Sequence, residues 1–173
     1  MRSLIAIVAG MLVGCTTAQH PPLALAPRVD LERFMGDWYV IANIPTFIEE
    51  GAHNSVESYR LAAGGAIETT FRYRTGGFDG EVKTYTARGF VQDHASNAVW
   101  GMQFLWPFKA DYRIAWLSSD YSRVVIGREA RDYVWIMARN PSIPEADYRA
   151  ILEFLAGQGY DVSRVRKVPQ RWP

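Results

Sequence analysis

Cysteine, histidine and surplus charge are all scarce in this sequence. Cys15 is the only cysteine among 173 residues, so no disulfide can form within the chain, and the fold must be held by its core alone. There are three histidines, His20, His53 and His94. No Gly-x-Ser-x-Gly, His-Glu-x-x-His or glycine-rich phosphate loop accompanies them. Without a nucleophile and base to pair, or a metal-ligand spacing, the expectation is a non-enzyme with no metal and no cofactor. The formal net charge is +1, and setting aside the first fourteen residues, whose one charge is Arg2, leaves 18 basic against 18 acidic residues. A phosphate-binding surface needs a clustered basic excess, so nucleic acid is not an expected partner. The one dense run, Arg164-Val165-Arg166-Lys167, reads as a solvated strand edge. No apolar run reaches the ~20 residues that span a bilayer.

What is present begins at the N-terminus. Met1-Arg2-Ser3 and the uncharged run from Leu4 to Val13 have the layout of an export signal over residues 1–14. The tetrad Leu12-Val13-Gly14-Cys15 resembles the bacterial lipobox, which implies that Cys15 is lipid-modified and becomes the first residue of the mature chain. Thr16 behind it, in place of Asp, implies sorting to the outer membrane. Several acyl chains, at ~0.8 kcal/mol per buried methylene, make a durable membrane anchor. Residues 15–30, with Pro21, Pro22 and Pro27, read as an extended tether, and residues 31–173 as one domain.

Aromatic residues make up 13% of the chain and fall mostly in alternating segments, where they suit a half-buried pleated surface. Eight such runs separated by turn signals are recognised: Trp38 to Ile44, Asn54 to Leu61, Ala66 to Tyr73, Glu81 to Val91, Ala98 to Leu105, Asp111 to Leu117, Ser122 to Gly127 and Asp132 to Ala138. Connectors this short force antiparallel neighbours. The predicted fold is therefore all-β, an eight-stranded antiparallel up-and-down barrel whose closure removes its edges and leaves room for one small ligand. Ser142 and Glu145 have capping-box spacing, Tyr148, Ile151, Leu152 and Leu155 form one apolar stripe, and Gly157 and Gly159 end it. This predicts a C-terminal α-helix packed outside the barrel. Asp161 to Val168 reads as a last strand paired with the edge of the first.

Three short motifs carry a resemblance. Gly36-Asp37-Trp38-Tyr39 is similar to the Gly-x-Trp signature that opens the first strand of lipocalins. Ser119-Asp120-Tyr121 is similar to their Thr-Asp-Tyr turn, with Ser119 departing from the pattern, and the segment from Trp135 to Pro141, with Arg139, is similar to their third motif. In an up-and-down barrel all three fall on one rim. Gly36, Trp38, Asp120, Tyr121 and Arg139 are therefore assigned to closing that end, with Arg139 stacked on Trp38. With the lipobox, the sequence most resembles the bacterial outer-membrane lipoprotein lipocalins. The resemblance implies storage or transport of a fatty acid or lysophospholipid in envelope maintenance. The alternative is a non-catalytic envelope scaffold that binds a protein partner.

Period-two alternation from Trp38 predicts that Val40, Ala42 and Ile44 face the ligand cavity. The same parity from Arg139 adds Met137, Trp135 and Tyr133. Strand six offers Tyr112, Ile114 and Trp116 unless a bulge flips it. No carboxylate pair occurs among these positions, which argues against a cationic ligand. Arg72, Arg74, Lys83 and Arg88 are expected on the outer face. At the opposite rim Phe47, Phe78, Trp106 and Phe108 crowd the expected mouth, an apolar patch open to a membrane or to the second subunit of a homodimer.

Overall fold

The computed structural model describes residues 20–173. The expected signal over residues 1–14 and the lipid-modified Cys15 lie outside the described residues. A short helix α1 (Leu31–Phe34) leads into eight antiparallel strands: β1 (Gly36–Ile44), β2 (Ala52–Leu61), β3 (Ile67–Thr75), β4 (Val82–Val91), β5 (Val99–Leu105), β6 (Phe108–Leu117), β7 (Arg123–Gly127) and β8 (Val134–Ala138). Each pairs with the next, and β1 pairs with both β8 and β2, so the sheet closes into a barrel. Helix α2 (Glu145–Gly157), a short 3₁₀ turn and strand β9 (Arg166–Lys167) follow. The anticipated strands are all present with only their ends moved. The last is shorter than expected because Asp161 caps the 3₁₀ turn through the Ser163 amide.

Two bulges decide which side chains face inward. The pairing of β1 with β8 shifts between Val40 and Ala42, and one extra residue in a strand reverses the parity beyond it. Val40 opposes Met137 and joins the interior cluster. Ala42 opposes Ile136 and faces out. Ala42 and Ile44, expected in the cavity, thus pack outside the barrel with Ile136, Val134 and the Tyr148, Ile151 and Leu155 stripe of α2. A second shift between Ile114 and Trp116 in β6 turns Trp116 outward as well. The helix itself starts at Glu145 with Pro144 as its cap residue, and Ser142 supplies no capping hydrogen bond.

Part of the stretch read as a tether is packed against the barrel. Within it, Leu23, Ala26 and Val29 are buried. Their backbone amides donate to Glu129, to the Ile114 carbonyl and to the Ser96 carbonyl. The chain runs from the rim of the β7–β8 connection, where Arg131 donates to the Pro21 carbonyl, to the opposite rim, where the Asp30 amide donates to the Tyr121 hydroxyl over 2.9 Å. Apolar residues at every third position of an Ala- and Pro-rich segment found a surface to cover, and burying them outweighs the freedom of a loose linker.

That second rim is closed. Phe34 from α1 meets Trp38, Tyr59 and Trp100 with ring centroids 5.1 to 5.4 Å apart, and Trp100 stacks on Tyr112 at 5.3 Å. The Arg139 guanidinium lies 3.8 Å over the Trp38 ring and donates to the carbonyls of Arg33, Phe34, Met35 and Asp37. Gly36 has a φ of +94°, a conformation side chains rarely adopt, so the motif glycine meets a backbone requirement. In the β6–β7 turn Asp120 accepts from the Ser118 and Ser122 hydroxyls and the Ser122 amide, which hold its carboxyl well below the usual range. Tyr121, at a φ of +61°, lies under Arg33, whose guanidinium is 4.0 Å from the ring.

The wall between β1 and β2 is completed by the segment after α2. These two strands pair from Gly36 to Tyr39 and then separate. Beyond that point β9 takes the free edge of β1 at Ala42 and Asn43. The Gln170 side chain donates to both Val40 on β1 and Ser55 on β2, while the Asn54 amide donates to the Pro169 carbonyl.

Candidate functional site

Above the aromatic plug the barrel holds a cavity of about 400 Å³ that opens at the rim of the β1–β2, β5–β6 and β7–β8 connections. Phe71, Met102 and Tyr112 line its lower half, and Trp135, Tyr133, Phe104 and Phe47 rise toward the mouth. Of the residues assigned to it from sequence, Tyr112, Tyr133 and Trp135 line the cavity. Val40, Ile114 and Met137 face inward but are packed into the interior cluster and do not line it. Ala42 and Ile44 are on the outside. Arg72, Arg74, Lys83 and Arg88 do not line it either.

Two acidic residues do, against the expectation from sequence. Glu49, in the β1–β2 connection, accepts four hydrogen bonds, from Asn43 (3.1 Å), the Thr46 amide (2.9 Å), the Thr46 hydroxyl (2.6 Å) and the Trp135 indole (2.7 Å). Glu57, directly across from Trp38 in the β1–β2 register, stands at the floor. Burial pushes its carboxyl up to about 7, the Tyr59 hydroxyl pulls the other way, and the charge of Glu49 adds to the rise. The Tyr59 hydroxyl is in turn bonded to that of Tyr112, and burial raises both phenols well above their ordinary value. A polar chain of Glu57, Tyr59 and Tyr112 therefore crosses the bottom of an otherwise apolar space. Glu57 shares a strand face with buried Tyr59 at period two, a signal that strand parity in β2 carries. Glu49 lies in a loop, where no periodicity marks it.

The mouth is apolar outside as well as in. Phe47 is 87% exposed and Trp106 80%, with Phe104, Leu105 and Phe108 beside Trp106 on the β5–β6 hairpin. Phe78, expected in the same patch, instead packs edge-on against His53, with the Arg171 guanidinium 4.3 Å from its ring.

The barrel is closed and antiparallel, with an external helix and an apolar cavity, and residues 29–170 match the model of the Lipocalin-like domain. The chain belongs to the lipocalin family. It is similar to temperature-induced lipocalin-1 of Arabidopsis thaliana, 27% identical over 157 residues that cover 82% of this chain and 80% of the relative. It is also similar to the outer membrane lipoprotein Blc of Citrobacter freundii, 26% identical over 95% of this chain and 94% of that one. Among solved structures, the fold is shared with insecticyanin of the tobacco hornworm Manduca sexta, at a TM-score of 0.67, 12% identity and coverage of 86% and 85%. The cockroach allergen Per a 4 matches with a TM-score of 0.65, 19% identity and coverage of 86% and 92%. Lipocalins as a family bind small hydrophobic molecules, and the cavity described above is where this lipocalin has room for one.

Proposed function

We propose that this lipocalin is a membrane-anchored carrier that holds one single-chain lipid, a fatty acid or a lysophospholipid, for storage or transport in maintenance of a bacterial outer membrane. The observation that carries the reading is the apolar cavity of about 400 Å³, open at one rim. This lies within the ~300–1,000 Å³ range of small-molecule sites, which are mostly apolar with a few placed polar groups. The cavity lining holds neither histidine nor cysteine, and His53 hydrogen-bonds the Gly51 carbonyl at the rim.

The anchor is assigned to acylated Cys15. Similarity to proteins named outer membrane lipoproteins supports it, as does the lipobox-like tetrad before the cysteine. So does the path of the described chain. His20 and Pro21 lie at the open rim, beside Gly159 and Arg131. Five residue steps from Cys15 to His20 span at most ~17 Å. An anchor there holds the mouth, with its exposed Phe47 and Trp106, toward the bilayer, so that a lipid has a short apolar route into the barrel.

Lipid extraction with native mass spectrometry, followed by tryptophan-quenching titration with a fatty acid and a lysophospholipid, tests the reading. Saturable one-to-one binding, weakened by Trp135→Ala, is expected. An empty barrel that responds to neither lipid overturns it and leaves a scaffold for a protein partner.

A further inference from the structure

Carboxyl groups are costly inside an apolar cavity, because a charge taken out of water loses its hydration. Glu49 is compensated by its four donors. Glu57 is not: it has the Tyr59 hydroxyl beside it, and Tyr59 is already engaged with Tyr112. An alkyl chain laid across the floor would seal Glu57 off without a further partner, which leaves a desolvated polar group unsatisfied. The floor therefore calls for a polar ligand end, and one that donates.

The remaining ionisable groups around the cavity set its sign. Tyr85 comes from β4, Asp111 and Tyr112 from β6, Arg128 and Tyr133 from the β7–β8 connection, and Glu49 from the β1–β2 connection. Arg128 is the one cationic side chain among these lining residues. It stands at the rim, paired with Asp132 at 3.2 Å. Asp111 is paired with Arg113 at 2.9 Å. Among the described lining residues none at the floor is cationic; the Arg139 guanidinium, over the Trp38 ring, acts on Tyr59, and Glu49 adds a second acid to Glu57.

We propose that the floor of the cavity is a subsite for the protonated amine end of an apolar ligand, with Glu57 as its counter-ion and the Tyr59 and Tyr112 hydroxyls as neighbouring hydrogen-bond partners. The proposal rests on the cavity reading above and extends the ligand class beyond fatty acids and lysophospholipids. An ammonium supplies three donors and no acceptor, and its hydrogen bonds to a carboxylate are charge-assisted and strong at a site screened from water. A carboxylate-ended ligand of equal length meets like charge from Glu57 and Glu49. The contrast has a pH dependence. Glu57 is ionised above about 7 and neutral at pH 5, while an alkylamine stays protonated throughout.

The test compares dodecylamine, dodecanol and dodecanoate by tryptophan quenching, on the full-length chain carrying Cys15→Ser to remove the acylation site. At pH 8 dodecylamine is expected to bind at least about tenfold more tightly than dodecanoate, with dodecanol between them. At pH 5, and in Glu57→Gln at pH 8, the amine preference collapses to within about twofold. Equal or tighter binding of dodecanoate at pH 8 overturns the proposal while leaving the cavity as a ligand site, as does an amine preference that survives Glu57→Gln. Quenching by none of the three overturns the cavity reading and the proposal together. Glu57→Gln keeps the side chain's shape, and an unchanged or raised melting temperature identifies a folded variant.

Discussion

Arg139 and Trp38, from opposite ends of the strand sequence, meet with the guanidinium 3.8 Å above the indole. The same guanidinium serves carbonyls of Arg33, Phe34, Met35 and Asp37, so one side chain ties the end of β8 to both α1 and the start of β1. Arg139→Ala removes a cation–π contact and leaves four carbonyls without a shared donor, and a loss of about 3 kcal/mol in urea unfolding is expected. Arg139→Lys keeps the charge but not the planar fork, and should lose about half as much. An unchanged midpoint in both would mean that the aromatic cluster closes this end unaided.

The bulge in β1 makes a prediction that strict alternation would reverse. Ala42 is fully buried beneath the outer helix, so Ala42→Leu forces extra methylenes between β1 and α2 and should cost ~1–3 kcal/mol by overpacking. Lipid affinity at saturating fold should stay within about twofold. A large drop in affinity with little loss of stability would place residue 42 inside the barrel.

Glu57 couples stability to pH. Its carboxyl is raised from 4.5 to about 7 in the folded state, so the folded protein holds a proton that the unfolded chain releases. Stability from this group is complete below about pH 4.5 and is lost as pH rises through about 7, by up to roughly 3 kcal/mol. Glu57→Gln should therefore stabilise the unliganded protein at pH 8, change it little at pH 4, and flatten the profile between. Urea midpoints at the two pH values read this directly, and equal effects at both would show that Glu57 keeps an ordinary carboxyl.

The mouth aromatics make a separable claim. Chain lacking acylation should co-sediment with phospholipid vesicles through Phe47 and Trp106, and the double change Phe47→Ser with Trp106→Ser should reduce the bound fraction several-fold without moving the melting temperature. Concentration-dependent dimerisation abolished by the same pair, with no vesicle binding, would assign the patch to a second copy of the chain.

The order of the strands, the outer helix and the closing motif could be read from sequence, because each rests on local signals: alternation, a stripe at helical spacing, turn residues and the Gly36, Trp38 and Arg139 pattern. The cavity was legible only in part. Parity carries from Trp38 as far as Val40 and fails at the bulge, since an extra residue leaves no mark in hydrophobicity; Ala42 and Ile44 are apolar on either face. From Arg139 parity holds through Met137 to Trp135, because the β8 side of the pairing is unbroken. The packed segment from Leu23 to Val29 resembled a linker because proline marks both extended tethers and extended strands laid on a surface. Glu49 escaped notice because its four donors come from β1, β8 and its own loop, a grouping that exists only after closure.

The contact of Gln170 with both Val40 and Ser55 means that eight strands do not by themselves finish the vessel. Where β1 and β2 part, the chain beyond α2 acts as a ninth stave, made after every other piece of the wall. That side of the vessel is therefore sealed by bonds from residues 169–171 to Val40, Asn54 and Ser55 rather than by the sheet ladder.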